Sequence, residues 1–193
     1  FVAAKDYQKR VIQLGENPSR VFNVGGFGIE NINKLKLLKK EILEKNLGFT
    51  FCKKNLIITF HPVTLEKHET SKQIDELLRA LLYLKNTGLI FTMPNADTDN
   101  SIICKKIKSF CKKVKNAKYF KSLGQIRYLS CIQFVDGVVG NSSSGLLEVP
   151  SFKKGTINIG DRQRGRLQAS SIINCKPKSI LIKKSLKYLF SKT

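Results

Sequence analysis

Residues 131–166, CIQFVDGVVGNSSSGLLEVPSFKKGTINIGDRQRGR, decide how this chain is read. Apolar and β-branched residues predict a strand over 134–139, leaving the core. A tight polar loop follows, Gly140-Asn141-Ser142-Ser143-Ser144-Gly145, and a helix starts over 146–149. Three hydroxyls and several unpaired backbone N–H groups then face the N-terminal end of that helix, where amides and helix dipole favour an anion. A second strand over 156–159 delivers Asp161 to Arg166, whose arginines are placed to close over the same anion. One reading is a phosphate clamp without a Walker lysine. The other is a serine-rich turn capping an ordinary helix, with arginines that only face solvent.

Working outward, strands and helices alternate. Helices are predicted over 6–14, 32–47, 71–86, 99–114, 125–135 and 180–189, from apolar residues at helical spacing. Strands are predicted over 20–24, 56–60, 89–93, 118–121 and 172–173, besides the two above. The run Leu56-Ile57-Ile58-Thr59-Phe60 is the pattern of a strand covered on both faces in a parallel sheet. The glycine cluster Gly25-Gly26-Phe27-Gly28 follows a strand, yet lacks the spacing of a dinucleotide fingerprint and reads as a tight turn. The expected fold is α/β, a doubly wound, Rossmann-like parallel sheet of about six strands. The polar loops bearing His61, Asn95, Ser142 to Ser144 and Arg162 then open onto one sheet edge, where ligands of such folds gather.

Composition narrows the classes. The chain has 193 residues, enough for one sizeable core, and no apolar run long enough to span a membrane. It starts with Phe, not Met, and is expected to be the later part of something longer. Five scattered cysteines without a C-x-x-C pair argue against a disulfide framework or zinc ribbon and point to the cytoplasm. Asp97 and Asp99 read as helix caps, since nothing nearby completes an oxygen cage; no metal and no cofactor is expected. His68 reads as a surface residue. The net charge of +21 is mostly lysine, spread in pairs along helices. It favours loose contact with polyanions, but no motif for specific nucleic-acid recognition accompanies it.

Five ordered motifs carry a resemblance: Val11-Ile12-Gln13-Leu14-Gly15-Glu16-Asn17-Pro18, Arg20-Val21-Phe22-Asn23-Val24-Gly25, His61-Pro62-Val63-Thr64, Gly140-Asn141-Ser142-Ser143-Ser144-Gly145 and Gly160-Asp161-Arg162-Gln163-Arg164-Gly165-Arg166. Together they resemble the hydrolysing UDP-N-acetylglucosamine 2-epimerases of sialic-acid biosynthesis. The resemblance implies the carboxyl-terminal half of a GT-B-type two-domain fold, with residues 1–18 as interdomain helix and linker and 19–193 as the nucleotide-binding domain. It implies that His61 contacts the diphosphate near the scissile bond and that Asn95 lines the cleft. Leu123 would meet the uracil, Ser142 and Ser143 the phosphate oxygens, Glu148 the ribose hydroxyls, and Arg162 the nucleotide side of the pocket. It further implies conversion of UDP-N-acetylglucosamine to N-acetylmannosamine and UDP by elimination then hydration, in a protein that forms homo-oligomers. The acid–base carboxylates belong to the other domain, so the 193 residues alone are expected to be inactive. Two alternatives stand beside this: the same reaction on a UDP-linked diacetamido sugar, and a truncated nucleotide- or polyanion-binding module. One departure from the family pattern is Lys153-Lys154-Gly155-Thr156, where Gly-x-Pro-Thr is more usual.

Overall fold

A computed structural model describes residues 1–63, 69–94 and 100–192. It divides into two compact units, Phe1–Leu35 and Lys36–Thr193.

The smaller unit holds helix α1 (Lys5–Gln13), a 3-10 turn at Pro18–Arg20 and helix α2 (Phe27–Lys34). Gly15 (φ +105) takes the left-handed backbone that follows α1. Asn17 then starts the 3-10 turn by accepting from the Ser19 N–H at 3.0 Å. The strand expected over 20–24 does not join the sheet. Asn23 makes one isolated parallel bridge with Val2, and Phe22 and Val24 stay exposed. The single helix expected over 32–47 is also two helices, α2 and then α3 (Lys40–Leu47) in the larger unit. Leu38 donates its N–H to the Ser130 hydroxyl at 2.9 Å and Lys39 is extended, which takes the intervening segment out of the helical ladder.

The larger unit continues with β1 (Lys54–Thr59), α4 (Thr70–Leu81), β2 (Thr87–Thr92), α5 (Asn100–Lys113), β3 (Ala117–Phe120), α6 (Gly124–Phe134) and β4 (Gly137–Gly140). A single turn, α7 (Ser144–Leu147), and a 3-10 turn (Val149–Phe152) lead to β5 (Gly155–Ile159), β6 (Ile172–Cys175) and α8 (Ser179–Lys192). All strand pairs are parallel, in the order β3-β2-β1-β4-β5-β6. The main core joins Leu56, Ile58, Phe91, Val139 and Ile157 of the sheet to Ile74 and Leu77 of α4, Ile103 and Ile107 of α5, and Ile182 and Leu186 of α8. Contacts of α6 with β1 and with α3 cover the opposite face. Helices on both faces explain why the strands are apolar without alternation.

Three of the boundaries that differ from the sequence expectation have a visible cause. Helix α4 stops at Leu81 instead of residue 86, because Tyr83 and Leu84 donate to carbonyls three residues back. Strand β4 begins at Gly137, since Asp136 donates to the Asn55 carbonyl at 2.8 Å and its carboxylate accepts from the Asn55 N–H at 2.6 Å. The helix expected over 146–149 starts earlier and lasts one turn before Pro150. A single turn has little dipole, so an anion at this loop must rely on individual amides.

The order of strands reverses between β1 and β4, which makes their carboxyl ends the switch point. Gly140 ends β4 with φ +140, and a Cβ there would collide with the Thr59 carbonyl on β1. Glycine therefore lets the two strand ends lie side by side at the place where the site forms.

Candidate functional site

Asn141 is the first residue after β4 and is 1% exposed. Its N–H donates to the Thr59 carbonyl at 3.1 Å, which extends the strand pairing by one residue. Its side-chain Oδ1 accepts from the His61 N–H at 2.7 Å, and its Nδ2 donates to the His61 carbonyl at 2.9 Å. Its own carbonyl accepts from Arg162 Nη1 at 3.1 Å and from Gln163 Nε2 at 2.7 Å. One buried residue thus ties together the loops that follow β1, β4 and β5.

These loops border a hollow of about 1280 Å³ along the carboxyl ends of the strands. His61, Leu123, Ser142, Ser143, Glu148 and Arg162 all line it. Asn95, expected beside them, lies outside the described residues, as do His68, Asp97 and Asp99. His61 is 5% exposed, so it presents only a small surface. No described residue accepts from the backbone N–H of Ser142 or Ser143. Two residues with unengaged amides and hydroxyls, and one guanidinium, therefore border the same hollow, donors of the kind that hold an anion. Of the arginines in the loop after β5, Arg162 alone borders this hollow; Arg164 and Arg166 are exposed.

The hollow continues past α6. Leu123 is buried, and its carbonyl accepts from Arg127 Nε at 2.7 Å. The carbonyl keeps a second lone pair, and no described residue accepts from the Leu123 N–H. The hydroxyls of Thr59 and Thr92, at the ends of neighbouring strands, share a hydrogen bond of 2.5 Å on the wall. Tyr128 contacts the Ser144 hydroxyl at 2.7 Å. Burial pushes the Tyr128 hydroxyl up to about 12; the charge on Glu148 adds to the rise and the bond to Ser144 opposes it. Lys108 and Lys121 stand at the margin and add positive potential.

Sequence reading passed over Asn141, Gln163 and Tyr128. The first two are buried and act through backbone groups of residues 20 or more positions distant, a pairing no local pattern displays. Gln163 also keeps its Oε1 buried without a partner among the described residues.

The sequence profile of the family described as UDP-N-acetylglucosamine 2-epimerase matches residues 1–193. The chain belongs to that family. It is 48% identical over 175 residues to the polysialic acid biosynthesis protein P7 of Escherichia coli, covering 90% of this chain and 44% of that protein. It is 44% identical to a GDP/UDP-N,N'-diacetylbacillosamine 2-epimerase (hydrolyzing) of Campylobacter jejuni, covering 90% and 46% respectively. The chain therefore spans about half the length of these relatives. Among solved structures, it matches a UDP-GlcNAc 2-epimerase of Neisseria meningitidis bound to UDP-GlcNAc, at TM-score 0.72 and 16% identity over 99% of this chain and 52% of that one. A UDP-N-acetylglucosamine 2-epimerase of Listeria monocytogenes matches at TM-score 0.74 and 16% identity, over 99% and 50%. At such identities the likeness concerns the fold, the Rossmann-like sheet of GT-B-type epimerases. No helix of the described residues is long and apolar enough to cross a membrane.

Proposed function

We propose that this chain is the UDP-binding, carboxyl-terminal half of a hydrolysing 2-epimerase. The observation that carries this reading is that His61, Ser142, Ser143 and Arg162 line one hollow at the switch point of the sheet, with no described residue accepting from the Ser142 or Ser143 N–H. Breaking the bond between C1 of the sugar and the diphosphate oxygen places negative charge on departing UDP. Fixed N–H, hydroxyl and guanidinium donors stabilise that charge as it develops, without reorganising. In this account the diphosphate rests on Ser142 and Ser143 under Arg162, with His61 beside the scissile oxygen. Glu148 accepts hydrogen bonds from the ribose hydroxyls, which a carboxylate does well. Uracil meets the Leu123 backbone, and Asn95 lines the cleft.

The C2 proton must leave as UDP departs, and water must then add to the resulting 2-acetamidoglucal. Those steps need an acid–base pair on the sugar. The pair belongs to the other half of the protein, so the 193 residues bind UDP weakly and turn nothing over. In that account residues 1–18 are the link between the halves, the protein is cytoplasmic and homo-oligomeric, and the product is N-acetylmannosamine for sialic-acid biosynthesis. A second reading keeps the reaction on a UDP-linked diacetamido sugar; the 44% identity to a diacetylbacillosamine 2-epimerase favours it specifically. Coexpression with the reading frame that supplies the other half decides between them. Release of UDP from UDP-N-acetylglucosamine with N-acetylmannosamine as co-product supports the first, and release only from the diacetamido substrate supports the second. No UDP release from either, by a soluble and folded pair, contradicts both.

A further inference from the structure

The site places its groups on three loops; the pairing of β1 with β4 runs as far as Thr59 and Gly140, with one more bond from the Asn141 N–H to the Thr59 carbonyl, and stops short of His61. Asn141 supplies the next link. Its side-chain amide bonds both polar groups of the His61 backbone, at 2.7 and 2.9 Å, which ties the His61 Cα to the loop that carries Ser142 and Ser143. Its carbonyl separately holds Arg162 and Gln163. The two functions use different atoms: removing the side chain takes away its two bonds to the His61 backbone and leaves the Arg162 anchor in place.

We infer that Asn141 is a positioning residue, which touches no ligand itself and sets His61 against the diphosphate. This deepens the UDP-binding reading and rests on it. A residue that merely held the fold together would weaken binding of every ligand alike. A residue that positions His61 weakens only what His61 contacts, the diphosphate end, and leaves the base end near Leu123 untouched.

The test is titration of UDP and of uridine into the 193-residue chain by calorimetry, for the wild type, Asn141→Ala, His61→Ala and the double variant. Wild type binds UDP more tightly than uridine. Asn141→Ala removes both hydrogen bonds that the Asn141 side chain makes to the His61 backbone, and UDP affinity falls about tenfold or more while uridine affinity holds. In the His61→Ala background the same substitution changes UDP affinity less than twofold, because two residues acting through one contact are not additive. Equal losses for UDP and uridine, or losses that add in the double variant, overturn the inference. A wild type that binds UDP no better than uridine instead overturns the diphosphate reading beneath it. Should Asn141→Ala not fold, nuclear magnetic resonance of the wild type decides. UDP then shifts the His61 amide and the Asn141 side-chain amide with the same midpoint as the Ser143 amide; shifts at Ser143 with both others unmoved reject the coupling.

Discussion

At the scale of single residues, the hollow sets neutral hydroxyls and amides beside its charged groups. Ser142, Ser143, Thr59 and Thr92 present hydroxyls or amides, and Arg162 is the guanidinium that borders them. Tyr128 belongs to the same wall, and its environment has a measurable consequence. Its folded-state pKa lies above the ordinary tyrosine value of 10, so its contribution to stability is complete below pH 10 and is lost as pH rises towards about 12. Subtracting the alkaline absorbance titration of Tyr128→Phe from that of wild type isolates this group. A midpoint near 12 is expected, and one near 10 contradicts the burial seen here. Burial likewise holds Cys131 up to about 12, so it should resist alkylation at neutral pH until the chain unfolds. Mass spectrometry after a brief exposure to iodoacetamide, with and without urea, checks this.

At the scale of elements, two backbone positions decide the turns around the site. Gly140→Ala forces a Cβ against the Thr59 carbonyl and strains a backbone at φ +140. A loss of at least about 2 kcal/mol is expected in urea unfolding, since strain and overpacking combine. Lys153 is the opposite case, a side chain in the left-handed region (φ +56), which glycine adopts without steric cost. Lys153→Gly is expected to gain about 0.5–1 kcal/mol, the relief of left-handed strain less the added freedom of the unfolded chain. The same elements show what could be read from letters alone. The buried run at β1 and the amphipathic helices α4 and α5 follow from apolar spacing, which survives folding because each element keeps one face or both in the core. The stretch 32–47 has unbroken helical spacing, but its interruption depends on a hydrogen bond from Leu38 to Ser130, 92 residues away. Strand 20–24 has β-branched residues without a sheet to join. The serine loop was legible as a polar turn between a strand and a helix, yet the one-turn length of α7 was not, because Pro150 acts only after the chain has already turned into 3-10 geometry.

At the scale of the whole molecule, the sheet order explains why six dispersed residues meet. The reversal between β1 and β4 opens a crevice that the loops after β1, β4 and β5 all border. The net charge of +21 works differently: it is spread over many lysines and draws polyanions without choosing among them. Duplex DNA should therefore bind at 50 mM salt and lose at least about a hundredfold in affinity by 200 mM, as counterion release requires. Fluorescence anisotropy of a labelled duplex measures this. A salt-independent affinity would mean that a specific interface exists. The central claim concerns the crevice and not the charge, and one experiment separates them: calorimetric titration of UDP at 150 mM salt, with excess unlabelled duplex present, into wild type and Arg162→Ala. The account predicts saturable one-to-one binding that the duplex does not displace and that Arg162→Ala weakens about tenfold or more, as loss of a charge-assisted contact should. Absence of saturable binding, or binding that the duplex abolishes and Arg162→Ala leaves unchanged, would contradict it.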